Sequence, residues 1–196
     1  EVTHHAAELL ARGEQVTAEY GEVVRITGRL MTKRGHGKAG FGTVLDTTGR
    51  IQAYFKSDVL GEQFARFELL DVGDWVGVEG PLFRTRTGEI TVRADRIELL
   101  AKGIRPLPEK WHGLTDPEVR FRQRYADLFV NLDVRETFRR RARLVSGIRH
   151  FLDGRGYLEV ETPVLQPVYG GAFARPFVTN HNALDIDLYL RISNEL

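Results

Sequence analysis

A small set of aromatic, amide, carboxylate and cationic side chains is spaced as a nucleobase-binding site would require. Gln52 and Tyr54 fall on one face of a predicted strand, and Phe41 opens the strand before it. Arg34 lies in the turn that precedes Phe41, and Glu89 opens a later strand. An aromatic ring can stack on an unstacked base, an amide and a carboxylate can bond a base edge, and cations neutralise phosphates. These residue types suit contact with a single-stranded nucleic acid.

Each of these residues also has a more ordinary explanation. A phenylalanine on a strand usually packs in a core, and a loop with Lys33, Arg34 and Lys38 usually faces water. The net charge of +1 gives no general basic field, so nucleic-acid contact would rest on local clusters. The chain has no cysteine, which excludes disulfides and cysteine-ligated zinc. No apolar run approaches the roughly 20 residues of a membrane span.

The predicted strands that position these residues form one small barrel. Alternation of apolar and polar residues from Val24 to Leu30 predicts the first strand. A helix is predicted over 57–70, between the third and fourth strands. The four later strands are predicted over 41–46, 51–55, 75–84 and 89–98. This order is that of an OB-fold, although another small barrel without a ligand has the same pattern.

The second half of the chain is predicted to be helical at first. Residues 101–115 contain Pro106 and Pro108 and lack periodicity, which predicts a linker. A basic helix is predicted over 116–131, and an arginine-rich helix over 133–154.

The arginine-rich helix carries an apolar face that includes Phe138 and Val145. A strand is predicted over 157–161, and Pro163 ends its pairing. On composition alone, the arginines indicate a solvated helix face.

Several runs of sequence resemble the bacterial lysyl-tRNA synthetases of class II, subclass IIb. The most specific run is Gly-Gly-Ala-Phe-Ala-Arg-Pro-Phe at 170–177. The helix, strand and proline over 133–163 resemble motif 1 of class II. Further runs lie at 48–52, 80–89, 105–116, 122–128, 134–138, 181–185 and 188–192. The aspartyl and asparaginyl synthetases share the barrel and motif 1, but the runs at 105–108 and 170–177 favour lysine.

The resemblance implies an α+β fold in four parts. An N-terminal helical segment over 1–20 precedes a five-stranded OB-fold barrel over 21–100, which binds the anticodon. A linker over 101–115 leads to the first part of a class II catalytic domain over 116–196, with the motif 1 helix and strand.

The resemblance also implies the reaction. ATP activates lysine to lysyl-adenylate, and the lysyl group then passes to tRNA(Lys). The implied setting is a cytoplasmic homodimer that takes lysine and ATP, uses Mg²⁺ on the ATP, and does not contact a membrane.

Some family residues can be carried over to the barrel by position. Arg34, Phe41, Gln52 and Glu89 match the residues that contact the central uridine of the anticodon.

Other matches fall in the second half. Gly171 matches a glycine that lines the lysine pocket, and Glu195 matches a carboxylate that binds the α-amino group of lysine. The chain departs from the family at Phe173, where a small polar residue is common, and at Asn180, where histidine is common. Residues 193–194 are Ser-Asn, where Ala-Pro is common.

In this family motif 1 builds the subunit interface, which implies that Phe138, Val145 and Pro163 lie there. Motifs 2 and 3, with the arginines that bind ATP and the acidic residues that hold Mg²⁺, are expected beyond Leu196. No catalytic or metal-binding residue is predicted within the chain, and we expect the 196 residues to be inactive alone. Two alternatives stay open: a truncated paralogue or fragment that binds tRNA without catalysis, and a barrel that only supports dimerisation.

Overall fold

A computed structural model describes residues 1–107 and 114–194. The contacts divide the chain into two compact units, Glu1–Asn131 and Leu132–Leu196. Residues 108–113 of the predicted linker and the predicted lysine ligand Glu195 lie outside the described residues.

Six strands form the barrel of the first unit, and they confirm the predicted OB-fold. The strands are β1 (Val23–His36), β2 (Ala39–Leu45), β3 (Arg50–Lys56), β4 (Trp75–Arg84), β5 (Ile90–Arg93) and β6 (Arg96–Ala101). Their order is β1-β2-β3-β5-β4-β6, and β1 also pairs with β4. This additional pairing closes β1 to β5 into a ring, in which β3 and β5 run parallel.

The strand predicted over 89–98 is in fact two strands. The amide of Ala94 donates to the carbonyl of Tyr54 on β3 at 2.8 Å. The amide of the next residue, Asp95, donates to the carbonyl of Glu79 on β4 at 2.8 Å. The chain therefore changes partner between these two residues, and one strand cannot pass through the change. A Cβ on Gly80 would lie 1.8 Å from a backbone oxygen of β5, so this close crossing requires glycine.

Short helices cover the ends of the barrel. The first is α1 (Ala6–Ala11), which lies within the helical segment expected over 1–20, and a 3₁₀ turn follows at Gly13–Gln15. The predicted helix over 57–70 is α2 (Ser57–Leu60), a 3₁₀ turn (Gly61–Gln63) and α3 (Phe64–Leu69). Phe67 of α3 stacks on Phe55 of β3, with ring centroids 4.4 Å apart.

Alternate residues of the strands fill the barrel interior. The burial along β3 follows this alternation, with Ile51, Ala53 and Phe55 inside and the residues between them at the surface. Removing a buried aromatic side chain such as Phe55 typically costs about 3–5 kcal/mol. Other side chains that are almost fully buried are Val24, Ile26, Leu30, Val44, Val76, Val78, Val92 and Ile97.

The prediction of a single helix over 116–131 is wrong. The segment forms α4 (Pro117–Arg122) and α5 (Arg124–Val130), which are separated at Gln123 with φ −111° and ψ 53°. Asp127 is fully buried and accepts a hydrogen bond from Arg120 Nε at 2.9 Å. The break lets cationic side chains from both helices reach one buried carboxylate.

The second unit consists of a long helix and a small sheet. Helix α6 (Leu132–Asp153) matches the predicted helix over 133–154. No helix in the described ranges, α6 included, combines the length and apolar character that crossing a bilayer requires. The sheet has the order β7-β9-β8, with β7 (Leu165–Gln166), β8 (Val178–His181) and β9 (Ile186–Leu190).

The prediction of a strand over 157–161 is wrong, because the first strand after α6 is β7 (Leu165–Gln166). An extended segment becomes a strand only when a neighbour completes its hydrogen bonds. Among the described residues, none pairs with 157–161 in a ladder. No residue of the second unit is buried within its described part, 132–194.

A buried carboxylate, Asp74, ties the start of β4 to the chain on both sides. Its oxygens accept from the Asp71 amide at 2.8 Å, Lys102 Nζ at 2.8 Å and the Gly103 amide at 2.7 Å. Burial acts to raise the pKa of Asp74, but the hydrogen bonds from Asp71, Lys102 and Gly103 outweigh it. The pKa of this carboxyl therefore lies below its ordinary value.

We expect Asp74→Asn to lower the free energy of unfolding at neutral pH by about 1.5–3 kcal/mol, because three donors lose a charged acceptor. The contribution of Asp74 is present above the unfolded pKa of about 3.9 and is lost as pH falls through the lower folded pKa. Urea denaturation between pH 7 and pH 2 measures both effects, and the deficit of the variant should shrink in acid. Asp71→Asn is the matched control, because the Asp71 side chain is 73% exposed. This substitution should lower the free energy of unfolding by less than about 1 kcal/mol. Equal losses for both variants, or a deficit independent of pH, would contradict this assignment.

Candidate nucleic-acid interface

The four side chains that were predicted to contact a base lie around one cavity on the barrel wall. The cavity has a volume of about 180 Å³, and Arg34, Phe41, Gln52 and Glu89 all line it. Three of these residues come from β1, β2 and β3, and Glu89 directly precedes β5. The strand register explains the grouping, because Arg34 lies opposite Phe41 in the β1–β2 ladder.

Hydrogen bonds already organise the polar side of the cavity. With its amide nitrogen facing Glu89, Gln52 donates to Glu89 Oε2 at 2.6 Å, and its amide oxygen accepts from Thr91 Oγ1 at 3.3 Å. Thr32 and Thr43, which also line the cavity, are joined by a hydroxyl hydrogen bond of 2.8 Å. The cavity therefore presents oriented polar groups.

The aromatic side of the cavity is Phe41. Its ring stacks on Tyr54 with centroids 4.7 Å apart and an interplanar angle of 27°. Phe41 remains 39% exposed, so it is not a core residue, although phenylalanine on a strand usually is. Gln52 and Tyr54 share one face of β3, as the alternation predicts.

The turn that carries Glu89 is fixed by hydrogen bonds. The amide of Glu89 donates to Thr85 Oγ1 at 3.0 Å, and the amide of Thr85 donates to the Glu89 carbonyl at 2.9 Å. Arg84 donates to the carbonyls of Gly88 at 2.8 Å and Val16 at 2.9 Å. No local sequence pattern indicates this role of Arg84, because Val16 lies 68 residues away in the chain.

Only some of the predicted cations lie near this cavity. Arg34 lines it, and Lys38 and Arg86 are exposed in the two adjoining turns. Lys33 does not contribute, because its ammonium donates to the carbonyls of Glu68 at 2.8 Å and Leu70 at 2.7 Å. Burial lowers the pKa of Lys33.

In the second unit, Gly171 is exposed and has a φ of +88°, a conformation that favours glycine. The residues before it are held against β9, because Tyr169 packs on Tyr189 with centroids 4.9 Å apart. Arg191 NH1 donates to the carbonyl of Thr162 at 2.7 Å.

The residues predicted for a subunit interface are at the surface. Phe138 is 41% exposed, Val145 is 36% exposed, and Pro163 is exposed. A cavity of about 360 Å³ lies between α6 and the segment that follows it. Its lining residues are Val145, Ile148, Arg149, Leu152, Asp153, Tyr157, Leu158 and Glu159.

Two family models match the chain in separate ranges. Residues 24–100 match the OB-fold nucleic acid binding domain. Residues 116–196 match the tRNA synthetases of class II (D, K and N).

Several proteins that are similar to this chain are lysine–tRNA ligases. The one from Carboxydothermus hydrogenoformans is 56% identical over 197 residues, which cover 100% of this chain and 40% of that protein. Those from Thermoanaerobacter sp. and Clostridium tetani are 55% and 51% identical and match 90% and 100% of this chain. The chain spans 36% and 39% of their lengths.

Proposed function

We propose that this chain belongs to the class II tRNA synthetases (D, K and N) and that it is part of a lysine–tRNA ligase. The whole protein would form lysyl-adenylate from lysine and ATP, release pyrophosphate, and transfer the lysyl group to tRNA(Lys). We place this activity in the cytoplasm. In such a reaction the protein contributes mainly positioning and stabilisation of charge.

The ATP-binding arginines and the Mg²⁺ ligands are proposed to lie outside this chain. Within 1–107 and 114–194, no three His, Asp or Glu side chains gather closely enough to hold a metal ion.

We also propose the domain boundaries 1–20, 21–100, 101–115 and 116–196. The family matches over 24–100 and 116–196 support them. The contact division falls later, at Asn131, because α5 packs on the barrel. The guanidinium of Arg29 lies over the rings of Trp75 at 5.1 Å and Phe129 at 4.7 Å.

One observation carries the anticodon assignment: side chains from separate strands converge on a single cavity of nucleobase size. In this proposal Phe41 stacks on the central uridine, Gln52 and Glu89 bond its edge, and Arg34 neutralises a neighbouring phosphate. None of these four side chains belongs to the hydrophobic core of the barrel.

We expect Phe41→Ala and Gln52→Ala each to weaken binding of the tRNA(Lys) anticodon stem-loop by about 1–3 kcal/mol, the usual cost of losing a stack or a base-edge contact. Fluorescence anisotropy at fixed salt measures the affinity, and thermal melting should show little change. Tyr125→Ala is the control, because Tyr125 is 58% exposed and does not line the cavity. Unchanged affinity in both test variants would show that the anticodon assignment is wrong.

We further propose that α6 and Pro163 contribute to a two-fold interface in the whole protein. Leu144, Ile148 and Phe151, which are 65%, 52% and 59% exposed, extend the exposed apolar surface of this helix. Burial of such a surface stabilises association.

We expect Phe138→Asp combined with Val145→Asp to convert the full-length dimer to monomer, because the substitutions would bury unpaired charge. Sedimentation velocity at micromolar concentration is the measurement. Arg140→Asp is the matched control, since its side chain is 78% exposed and lies on the other side of α6. A dimer that survives the double substitution, or an unsubstituted full-length protein that is already monomeric, contradicts the proposal.

Gly171 and Glu195 are proposed to bind lysine, with Glu195 accepting from the α-ammonium group. A charge-assisted hydrogen bond is strong where water is excluded. In the full-length protein, Glu195→Gln should weaken lysine binding by about 1.5–3 kcal/mol and leave tRNA binding intact. The KM for lysine in ATP–pyrophosphate exchange measures this, and an unchanged KM removes Glu195 from the site. The 196-residue chain alone should show no lysine-dependent exchange.

A further inference from the structure

Four aromatic rings form a continuous surface that begins at the base-binding cavity. The ring of Phe41 stacks on Tyr54 at 4.7 Å, and Tyr54 contacts Phe83 at a centroid distance of 6.3 Å. Phe83 in turn meets Tyr20 edge-on at 5.2 Å. The surface therefore continues from the cavity past β3 to a residue that precedes the barrel strands.

Tyr20 is held in a defined position although it lies outside regular structure. Just after it, the amide of Gly21 donates to the carbonyl of Leu82 at 2.9 Å. Just before it, the carbonyl of Thr17 accepts from the amide of Arg84 at 2.7 Å. Both bonds fasten this segment along β4.

The ring of Tyr20 is 54% exposed, which leaves a large aromatic surface open to solvent. The guanidinium of Arg93 covers part of the ring, with Cζ 4.1 Å from the centroid. Arg93 is itself paired with Asp95, through Nε at 2.9 Å and NH2 at 2.8 Å. Its charge is therefore largely satisfied within the protein, and what this part of the surface offers a ligand is stacking.

We propose that Tyr20 is a second stacking site, for a base that flanks the one held at Phe41. The ligand class is single-stranded RNA, and the inference rests on the proposed anticodon-binding function. Neighbouring ring centroids on this surface are 4.7 to 6.3 Å apart, which exceeds the roughly 3.4 Å rise between stacked bases. Two bases bound to different rings would therefore not stack on each other. Stacking on an aromatic ring tolerates every base, so Tyr20 adds affinity without selecting a sequence.

Oligouridylates of three and seven nucleotides, binding to the 196-residue chain in low salt, test this inference. The shorter probe can occupy the cavity at Phe41, and the longer one can also reach Tyr20. Tyr20→Ala should weaken binding of the seven-nucleotide probe by about 5- to 100-fold, the effect of one lost stack, and leave the three-nucleotide probe within about two-fold. Tyr20→Phe keeps the ring and should bind both probes like the unsubstituted chain.

The salt dependence adds a readout that a general loss of structure would not reproduce. Because Tyr20 carries no charge, Tyr20→Ala should keep the slope of log Kd against log salt concentration for the longer probe. Tyr125→Ala is the control for loss of an exposed tyrosine.

The failures of the two proposals are distinguishable. If Phe41→Ala weakens both probes and Tyr20→Ala weakens neither, anticodon binding stands and the second site is wrong. If Tyr20→Ala weakens both probes equally, Tyr20 supports the cavity instead of binding a base, and the inference is also wrong. If the unsubstituted chain binds neither probe, or Phe41→Ala has no effect on either, the proposed function fails and this inference falls with it.

Discussion

The pairing of β1 with β4 closes the barrel, and the candidate surface depends on that closure. Strand β1 has 14 residues, of which Val23 to Arg29 pair with β4 and Arg29 to His36 pair with β2. Gly28 permits the bend between these halves, because a Cβ there would lie 2.5 Å from the carbonyl oxygen of Leu45. A closed ring has no free edge, so neighbouring strands cannot shift in register. Outward side chains such as Arg34 and Gln52 are therefore held at fixed separations on a rigid wall.

The second unit differs from the barrel in the burial of its side chains. Within its described residues no side chain is buried, and α6 exposes apolar residues along most of its 22-residue length. Helices in proteins gain most of their stability from burying an apolar face. The segment over 157–161 likewise has no ladder partner in the described ranges. Both features support the proposed two-fold interface, which would cover these apolar residues.

The sequence predicted features that depend on neighbouring residues and missed those that depend on distant ones. Alternation located the first half of β1 and nearly all of β3, because this signal is local. The division of 89–98 depends on a partner change to Glu79, and the break at Gln123 depends on the buried carboxylate of Asp127. The resemblance selected the four cavity residues, but Tyr20 carries no pattern of its own. Its position follows from hydrogen bonds between its flanking segment and β4.

The polar pairing inside the cavity suggests how a base would be selected under the proposed function. In the free chain Gln52 donates to Glu89 and accepts from Thr91, so the amide of Gln52 is already paired. A bound base must replace part of this pairing with bonds of its own. Uracil offers an N–H donor to a carboxylate and a carbonyl acceptor to an amide, so the exchange keeps every partner satisfied. Cytosine presents an acceptor nitrogen where uracil has its N–H donor, so at that position the Glu89 carboxylate would face a lone pair in place of a proton. Glu89 is exposed in the free chain, so a base that covers it removes water from the carboxylate. Discrimination at such a site would then come mainly from the penalty on a base that leaves the covered carboxylate without a donor.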